Sequence, residues 1–116
     1  MSNTEQNTAK ILWTTDNKDT AINMICLYAH NAKLQGWIEN VQILVWGASQ
    51  TLISNDKELQ DKIKEMIKDG VEVIACKKCA EDLGVSDTLQ ACDMQVYYTG
   101  ELLSSWVKEG NSIISV

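Results

Sequence analysis

Short apolar runs with the composition of buried strands alternate with helix-like segments along nearly the whole chain, and this alternation constrains the fold most. The five strand-like runs cover residues 11–15, 41–46, 71–75, 95–98 and 112–116. Apolar residues at helical spacing predict helices over residues 21–34, between Asn55 and Asp69, over about 77–83, from Ser86 and after Thr99. Because the connections are short, we expect right-handed βαβ crossovers and a mostly parallel sheet with helices on both faces.

The length of 116 residues suits one domain with one core. We expect residues 1–9 to form a flexible polar tail and residues 10–116 to form a single three-layer α/β/α domain. This domain is Rossmann-like (flavodoxin-like), with about five mostly parallel strands.

Helix starts and buried faces are visible in the same pattern. Asn55, with Glu58 three residues later, resembles a capping box and predicts the start of the second helix. The apolar stripe of the last helix, which we expect to be buried, consists of Leu102, Leu103, Trp106 and Val107.

The tryptophans fall into two groups. Trp13 and Trp46 lie in strand runs, and Trp106 lies on a helix stripe, so we expect all three in the core. Trp37 has no evident buried slot, and an exposed aromatic residue is typical of a subunit interface.

Several features predict a cytoplasmic protein without a membrane segment. No apolar run approaches the roughly 18–20 residues that span a bilayer. The first ten residues lack the basic and apolar regions of a signal peptide. Four cysteines in the reducing cytosol are not expected to form a disulfide framework.

The charge balance argues against nucleic acid as a partner. The net charge is −6 and all ten basic residues are lysines, whereas a nucleic-acid binder needs clustered cations to neutralise phosphates. Small molecules and other protein chains remain compatible with this surface.

The segment Ala75–Cys79 contains the most reactive group of side chains in the sequence. In it, Cys76 and Cys79 flank two lysines directly after the third strand. In open α/β sheets ligands gather at the carboxyl ends of the strands. A thiol at the start of a helix, beside Lys77 and Lys78, is favoured as a thiolate by amide N–H groups and by positive charge. We therefore identify Cys76 as a candidate catalytic residue and Cys79 as its candidate partner or modulator.

Other interpretations of this cysteine pair remain open. Both thiols can be packing residues, because free cysteine is among the most buried residue types. A thioredoxin-type site is disfavoured, since that motif follows an early strand and faces a cis-proline loop, and the chain contains no proline.

Metal and nucleotide sites have weaker support, and we expect no cofactor and no metal. A structural zinc site needs four ligands, and the remaining soft ligands are Cys26, His30 and Cys92. The loop at 14–20 has hydroxyls for a phosphate but no glycine-rich pattern, so a turn with a helix cap is favoured. No G-x-S-x-G elbow supports a hydrolase.

Two segments make the chain resemble a known family. GVEVIACKKCAEDLGV at 70–85 and QVYYTGELLSSWVKEG at 95–110, followed by a terminal strand, resemble the DsrE/DsrF-like family of small sulfur-relay and related proteins. The resemblance implies a Rossmann-like fold and homo- or hetero-oligomers, commonly trimers or hexamers. It also implies that Cys76 is the cysteine that, in sulfur-transferring members, accepts sulfane sulfur as a persulfide from a donor protein and passes it to an acceptor. Cys79 matches the second cysteine of the C-x-x-C members.

Two functions follow as hypotheses. The first is a sulfur carrier or sulfurtransferase subunit acting through Cys76, in which Cys79 either resolves the persulfide or shapes the pocket. The second is a non-catalytic oligomeric binding or assembly module whose cysteines are packing residues.

Overall fold

A single parallel sheet organises the chain. The computed structural model describes residues 7–110 and 112–116. Five strands, all paired in parallel, follow the order β4-β3-β2-β1-β5. The strands are β1 (Thr8–Trp13), β2 (Asn40–Val45), β3 (Glu72–Cys76), β4 (Gln95–Tyr97) and β5 (Ile113–Ser115). The α/β fold predicted from the alternation of strands and helices is confirmed.

Helices connect the strands. They are α1 (Lys18–Thr20), a π-helical segment (Ala21–Cys26), α2 (Leu27–Leu34), α3 (Ala48–Ser54), α4 (Lys57–Lys68), α5 (Lys77–Leu83), α6 (Ser86–Ala91) and α7 (Gly100–Lys108). The first three follow one another directly, so the first predicted helix begins earlier than expected and is π-helical in its middle.

Helix α3 was not predicted from the sequence. It is short, and two of its three buried residues, Ser49 and Gln50, are polar, so it shows no apolar stripe. Ser49 Oγ donates to the carbonyl oxygens of Trp13 at 2.7 Å and Trp46 at 3.0 Å. Hydrogen bonds to the strand ends therefore dock α3 on the sheet.

The start of α4 differs from the predicted capping box. The N-cap is Asp56, whose Oδ1 accepts from the amide N–H of Leu59 at 2.9 Å. Asn55 instead ends α3. Glu58 pairs with Lys18 Nζ at 3.1 Å. The prediction was wrong by one residue because two adjacent residues both suit a cap and only the path from α3 decides between them.

The two faces of the sheet are covered differently. Most buried residues form one core on the face that includes Ile11 and Ile43. On the opposite face Leu44 and Ile74 pack against Trp106 of α7. Val107 was predicted to be buried but is 66% exposed, because a nine-residue helix over this face turns only a narrow stripe inward.

The amino-terminal boundary of the domain also shifts. Thr8 and Ala9 pair with Asn40 and Val41 of β2, so the domain begins inside the predicted tail of residues 1–9. The polar side chains of Thr8 and Lys10 hide this start in the sequence. The rest of the predicted tail, residues 1–6, lies outside the described residues.

Among the residues that the structure describes, none of the helices combines the length and apolar character needed to cross a bilayer.

Candidate active site

Cys76 lies at the junction of a strand and a helix. It is the last residue of β3, its Cα pairs with that of Tyr97 in β4, and it occupies the N-cap position of α5. Because side chains alternate along a strand, Cys76 projects to the same face as Ile74, the face covered by α7. Its side chain is 3% exposed. The predicted position at the carboxyl end of the third strand is thus the observed one.

Burial and hydrogen bonding compete at the Cys76 sulfur. Burial raises the pKa of the thiol, but the amide N–H of Cys79, the side chains of Thr99 and Cys79, and the amide N–H of Lys78 lower it. The lowering contributions prevail, so the pKa of Cys76 lies below its ordinary value. The arrangement therefore favours a thiolate at the start of α5.

Cys79 has the opposite character. Burial raises the pKa of its thiol, the amide N–H of Gly47 lowers it, and the hydrogen bond and charge of Cys76 raise it again. The net pKa of Cys79 is above the ordinary value, and its side chain is partly exposed. The opposite directions of the two pKa shifts make Cys76 the member of the pair that ionises first, with the Cys79 thiol placed to donate a hydrogen bond to it.

The loop after β2 and the start of α3 complete one side of the site. Gly47 has φ 73° and ψ −134°, a conformation that favours glycine, and its amide acts on the Cys79 sulfur. Gln50 is fully buried, and its Nε2 donates to the carbonyl oxygens of Val45 at 3.2 Å and Cys76 at 3.0 Å. This carboxamide joins the ends of β2 and β3.

The two lysines of the motif are engaged elsewhere. Lys77 Nζ lies 5.2 Å from the centroid of the Tyr98 ring, and Lys78 Nζ donates to Asp82 Oδ1 at 3.1 Å. Tyr98 Oη in turn donates to Glu81 Oε1 at 2.9 Å. Lys78 lowers the pKa of Cys76 through its backbone amide. The sequence predicted that the positive charge of the two lysines favours the thiolate, whereas in the structure the backbone N–H groups of Lys78 and Cys79 lower the pKa of Cys76.

The other soft ligands lie away from Cys76. Cys26, in the π-helical segment, is buried, and burial raises its pKa to about 11. Cys26 and His30 line a cavity of about 170 Å³, where His30 Nε2 lies 2.7 Å from Asp69 Oδ2. The Cys92 thiol donates to the Thr88 carbonyl at 3.3 Å.

Neither a metal site nor a phosphate loop is assembled from these candidates. Within residues 7–110 and 112–116, no group of three or more His, Cys, Asp or Glu side chains is placed to hold a metal ion. In the loop after β1, Asn17 Oδ1 accepts from the amide of Thr20 at 2.9 Å, and Thr15 Oγ1 accepts from the amide of Asn17 at 3.1 Å. This loop is a turn with a helix cap.

Sequence reasoning missed three residues around the cysteine pair. Gly47 and Gln50 were not singled out, and Thr99 was expected only to precede a helix. A glycine directly after a buried strand was the one available signal, since such a residue can mark a special turn. The approach of these residues to Cys76 and Cys79 depends on the strand order, which no local pattern encodes.

Comparisons with known proteins agree with the fold. Bacteroides thetaiotaomicron BT1422, a conserved protein of unknown function, superposes with a TM-score of 0.96 at 39% identity and full coverage of both chains. MTH1491 from Methanobacterium thermoautotrophicum gives a TM-score of 0.68 at 18% identity, with coverage of 94% of this chain and 97% of that chain. The ychN protein from E. coli gives 0.62 at 14% identity, with coverage of 93% and 99%.

Sequence comparison gives the family. Comparison with curated proteins yields no significant match. The sequence pattern of the DsrE/DsrF-like family matches residues 15–116, which include the cysteine pair and the segments that surround it. The chain belongs to the DsrE/DsrF-like family.

Proposed function

We propose that the protein is a sulfur carrier of the sulfur-relay type that accepts sulfane sulfur on Cys76. One observation carries this proposal: the Cys76 sulfur is surrounded by N–H, O–H and S–H donors that lower its pKa despite burial. A thiolate with retained nucleophilicity is what attack on a sulfane sulfur requires. Membership of the DsrE/DsrF-like family supports the same chemistry.

The transfer conserves electrons at each step. The Cys76 thiolate attacks the outer sulfur of a donor persulfide, the donor's sulfur–sulfur bond breaks, and its electron pair leaves with the donor thiolate. An acceptor thiolate then attacks the outer sulfur on Cys76, and the electron pair of that bond returns to Cys76. We infer that donor and acceptor reach the buried sulfur from the side of Cys79, because Cys79 is partly exposed.

Cys79 offers a second fate for the persulfide. Its thiolate attacks the inner sulfur, the persulfide bond breaks, hydrosulfide leaves, and a Cys76–Cys79 disulfide forms. The outer sulfur is reduced to sulfide while the two cysteines are oxidised, and a dithiol reductant must then restore the pair. The hydrogen bond between the two thiols and the Gly47 amide at the Cys79 sulfur support this step.

Two further aspects belong to this proposal. We propose a homo-oligomer, a trimer or hexamer as the family resemblance implies. An interface between copies is supported by Trp37, which lines an open groove of about 340 Å³ with Met24, Leu27 and Tyr28. The partners are then a sulfur-donor and a sulfur-acceptor protein. We also assign the protein to the cytoplasm, because all four of its cysteines are free thiols.

Incubation with a small-molecule persulfide, followed by intact mass spectrometry, tests the carrier function. In a Cys79→Ser background, which retains the added sulfur, the parent protein and its Cys92→Ser variant should each gain the mass of one sulfur atom, and the Cys76→Ser variant should gain none. Uptake by the Cys76→Ser variant equal to that of the parent would remove the proposal. An unreactive Cys76 would favour the non-catalytic assembly module instead.

The role of Cys79 is tested on the loaded protein. Wild type should release sulfide and close a disulfide, whereas Cys79→Ser should keep its added sulfur until an acceptor thiol arrives. Equal release of sulfide from both proteins would show that Cys79 only shapes the pocket.

A further inference from the structure

Thr99 occupies a capping position without capping its helix. It is the N-cap residue of α7, yet its side chain makes no hydrogen bond to the first turn. A threonine that caps a helix stabilises it by accepting a hydrogen bond from an amide N–H of the first turn. Stabilisation of α7 therefore does not explain this side chain.

The Thr99 hydroxyl is also unsatisfied. The residue is fully buried, and Oγ1 has no hydrogen-bond partner at ordinary distance. A buried polar atom in this state is destabilising, typically by more than a hydrogen bond contributes. Such an atom calls for an explanation, and a catalytic role or a bound group is one kind.

The position of Thr99 indicates which group it faces. Tyr97 pairs with Cys76 across β4 and β3, and Thr99 follows two residues later, so its hydroxyl influences the Cys76 sulfur. Gln50, whose Nε2 holds the Cys76 carbonyl, has the other unsatisfied atom, Oε1. The two orphaned side-chain atoms found among the described residues thus both belong to neighbours of Cys76.

A persulfide changes the requirements at this position. The added sulfur lies about 2 Å beyond the sulfur of the cysteine and carries the negative charge, because a persulfide is a stronger acid than a thiol. The amides of Lys78 and Cys79 serve the inner sulfur. The outer sulfur needs a donor of its own, and the Thr99 hydroxyl can turn to it, because among the described residues it acts on the Cys76 sulfur without a hydrogen bond of ordinary geometry.

We propose that the Thr99 hydroxyl donates a hydrogen bond to the outer sulfur of a persulfide on Cys76 and keeps the transferred sulfur anionic. This inference rests on the proposed carrier function. Thr99 is then a binding residue for the cargo atom, and its buried hydroxyl gains a hydrogen bond of ordinary geometry only in the loaded state.

Two titrations of the full chain test this role. The variants Thr99→Val and Thr99→Ser are made in a Cys79→Ser background, in which the persulfide has no resolving thiol. Each protein is loaded with cysteine persulfide as the probe, and intact mass confirms the loading. The pKa of the loaded sulfur is read from the absorbance of the persulfide anion, and the pKa of the unloaded Cys76 is read from its alkylation rate.

We expect Thr99→Val to lower the acid dissociation constant of the persulfide on Cys76 about tenfold or more. The acid dissociation constant of the unloaded Cys76 thiol should change clearly less. Thr99→Ser should restore the acid dissociation constant of the persulfide. The inference would be overturned if Thr99→Val changed the acid dissociation constants of the loaded and unloaded proteins equally, or if it left that of the persulfide unchanged.

Folding and loading are controlled separately. Valine keeps the shape of threonine, thermal unfolding reports the integrity of each variant, and Thr99→Ala serves as a second variant if the valine does not fold. Parent protein that takes up no sulfur refutes the carrier function and the inference together. Parent protein that loads normally, with no effect of Thr99→Val on the loaded sulfur, refutes the inference alone.

Discussion

At Cys76, burial and hydrogen bonding act on the thiol in opposite directions, and the hydrogen bonds prevail. The groups that lower the pKa come from two places in the sequence: the first turn of α5, which includes Cys79, and Thr99 at the start of α7. Gly47 adds an amide at the Cys79 sulfur. The reactivity of the pair therefore depends on backbone geometry as much as on the side chains of the motif.

Gly47 allows a direct test of this dependence on the backbone. Its φ of 73° disfavours any residue with a Cβ, although no atom would contact that Cβ. We expect Gly47→Ala to lower the free energy of unfolding by about 1–3 kcal/mol and to raise the pKa of Cys79. Denaturant unfolding and the pH dependence of Cys79 alkylation measure the two effects.

Gly100 provides the matched control. Its φ is outside the left-handed region and its Cβ position is equally open. Gly100→Ala should therefore leave stability unchanged or increase it slightly. A Gly47→Ala protein as stable as Gly100→Ala would contradict the role assigned to the backbone of Gly47.

At the scale of elements, the alternation of strands and helices predicted the sheet, α5 and the position of Cys76, because hydrophobic periodicity reports burial directly. It missed α3, which is held by hydrogen bonds of Ser49 and Gln50 to strand ends. It also misjudged Val107, since the orientation of α7 depends on the strands below. Features set by neighbours distant in sequence were thus beyond local patterns.

The π-helical segment carries a pH-dependent element of stability. Burial of Cys26 raises its pKa from 9.0 to about 11. Between these values the unfolded chain has lost the thiol proton and the folded chain has kept it. The resulting stabilisation is complete below pH 9.0 and is lost as the pH rises to about 11, at up to roughly 1.4 kcal/mol per pH unit.

Cys26→Ala tests this linkage. Denaturant unfolding across the alkaline range should show a shallower decline in the free energy of unfolding for the variant than for wild type. The cost of the lost side-chain volume is constant with pH and appears as an offset. Parallel curves would mean that the thiol ionises equally in the folded and unfolded chains.

At the scale of the whole molecule, exposed apolar residues of the first helices and of the turn after α2 line one groove. Trp37 is 63% exposed, and Met24 and Leu27 are also exposed. If this groove holds a second copy, Trp37→Ser should shift the molecular mass measured by sedimentation toward that of one chain. Val107→Ser on α7 is the control, since it removes an equally exposed apolar side chain elsewhere.

An unchanged mass for Trp37→Ser would place the interface elsewhere on the molecule. A wild-type protein that sediments as a single chain would instead refute the proposed oligomer. Neither result bears on sulfur chemistry at Cys76.

The rate of sulfur uptake at Cys76 as a function of pH is the most direct test of the proposed carrier. Loading with a small-molecule persulfide is followed by mass spectrometry of the Cys76 peptide, and each rate is corrected for ionisation of the donor. Because the pKa of Cys76 lies below the ordinary 9.0, we expect the rate to reach half its maximum below pH 9.0. A midpoint at or above that value, or sulfur found on another cysteine, would contradict the proposed role of Cys76.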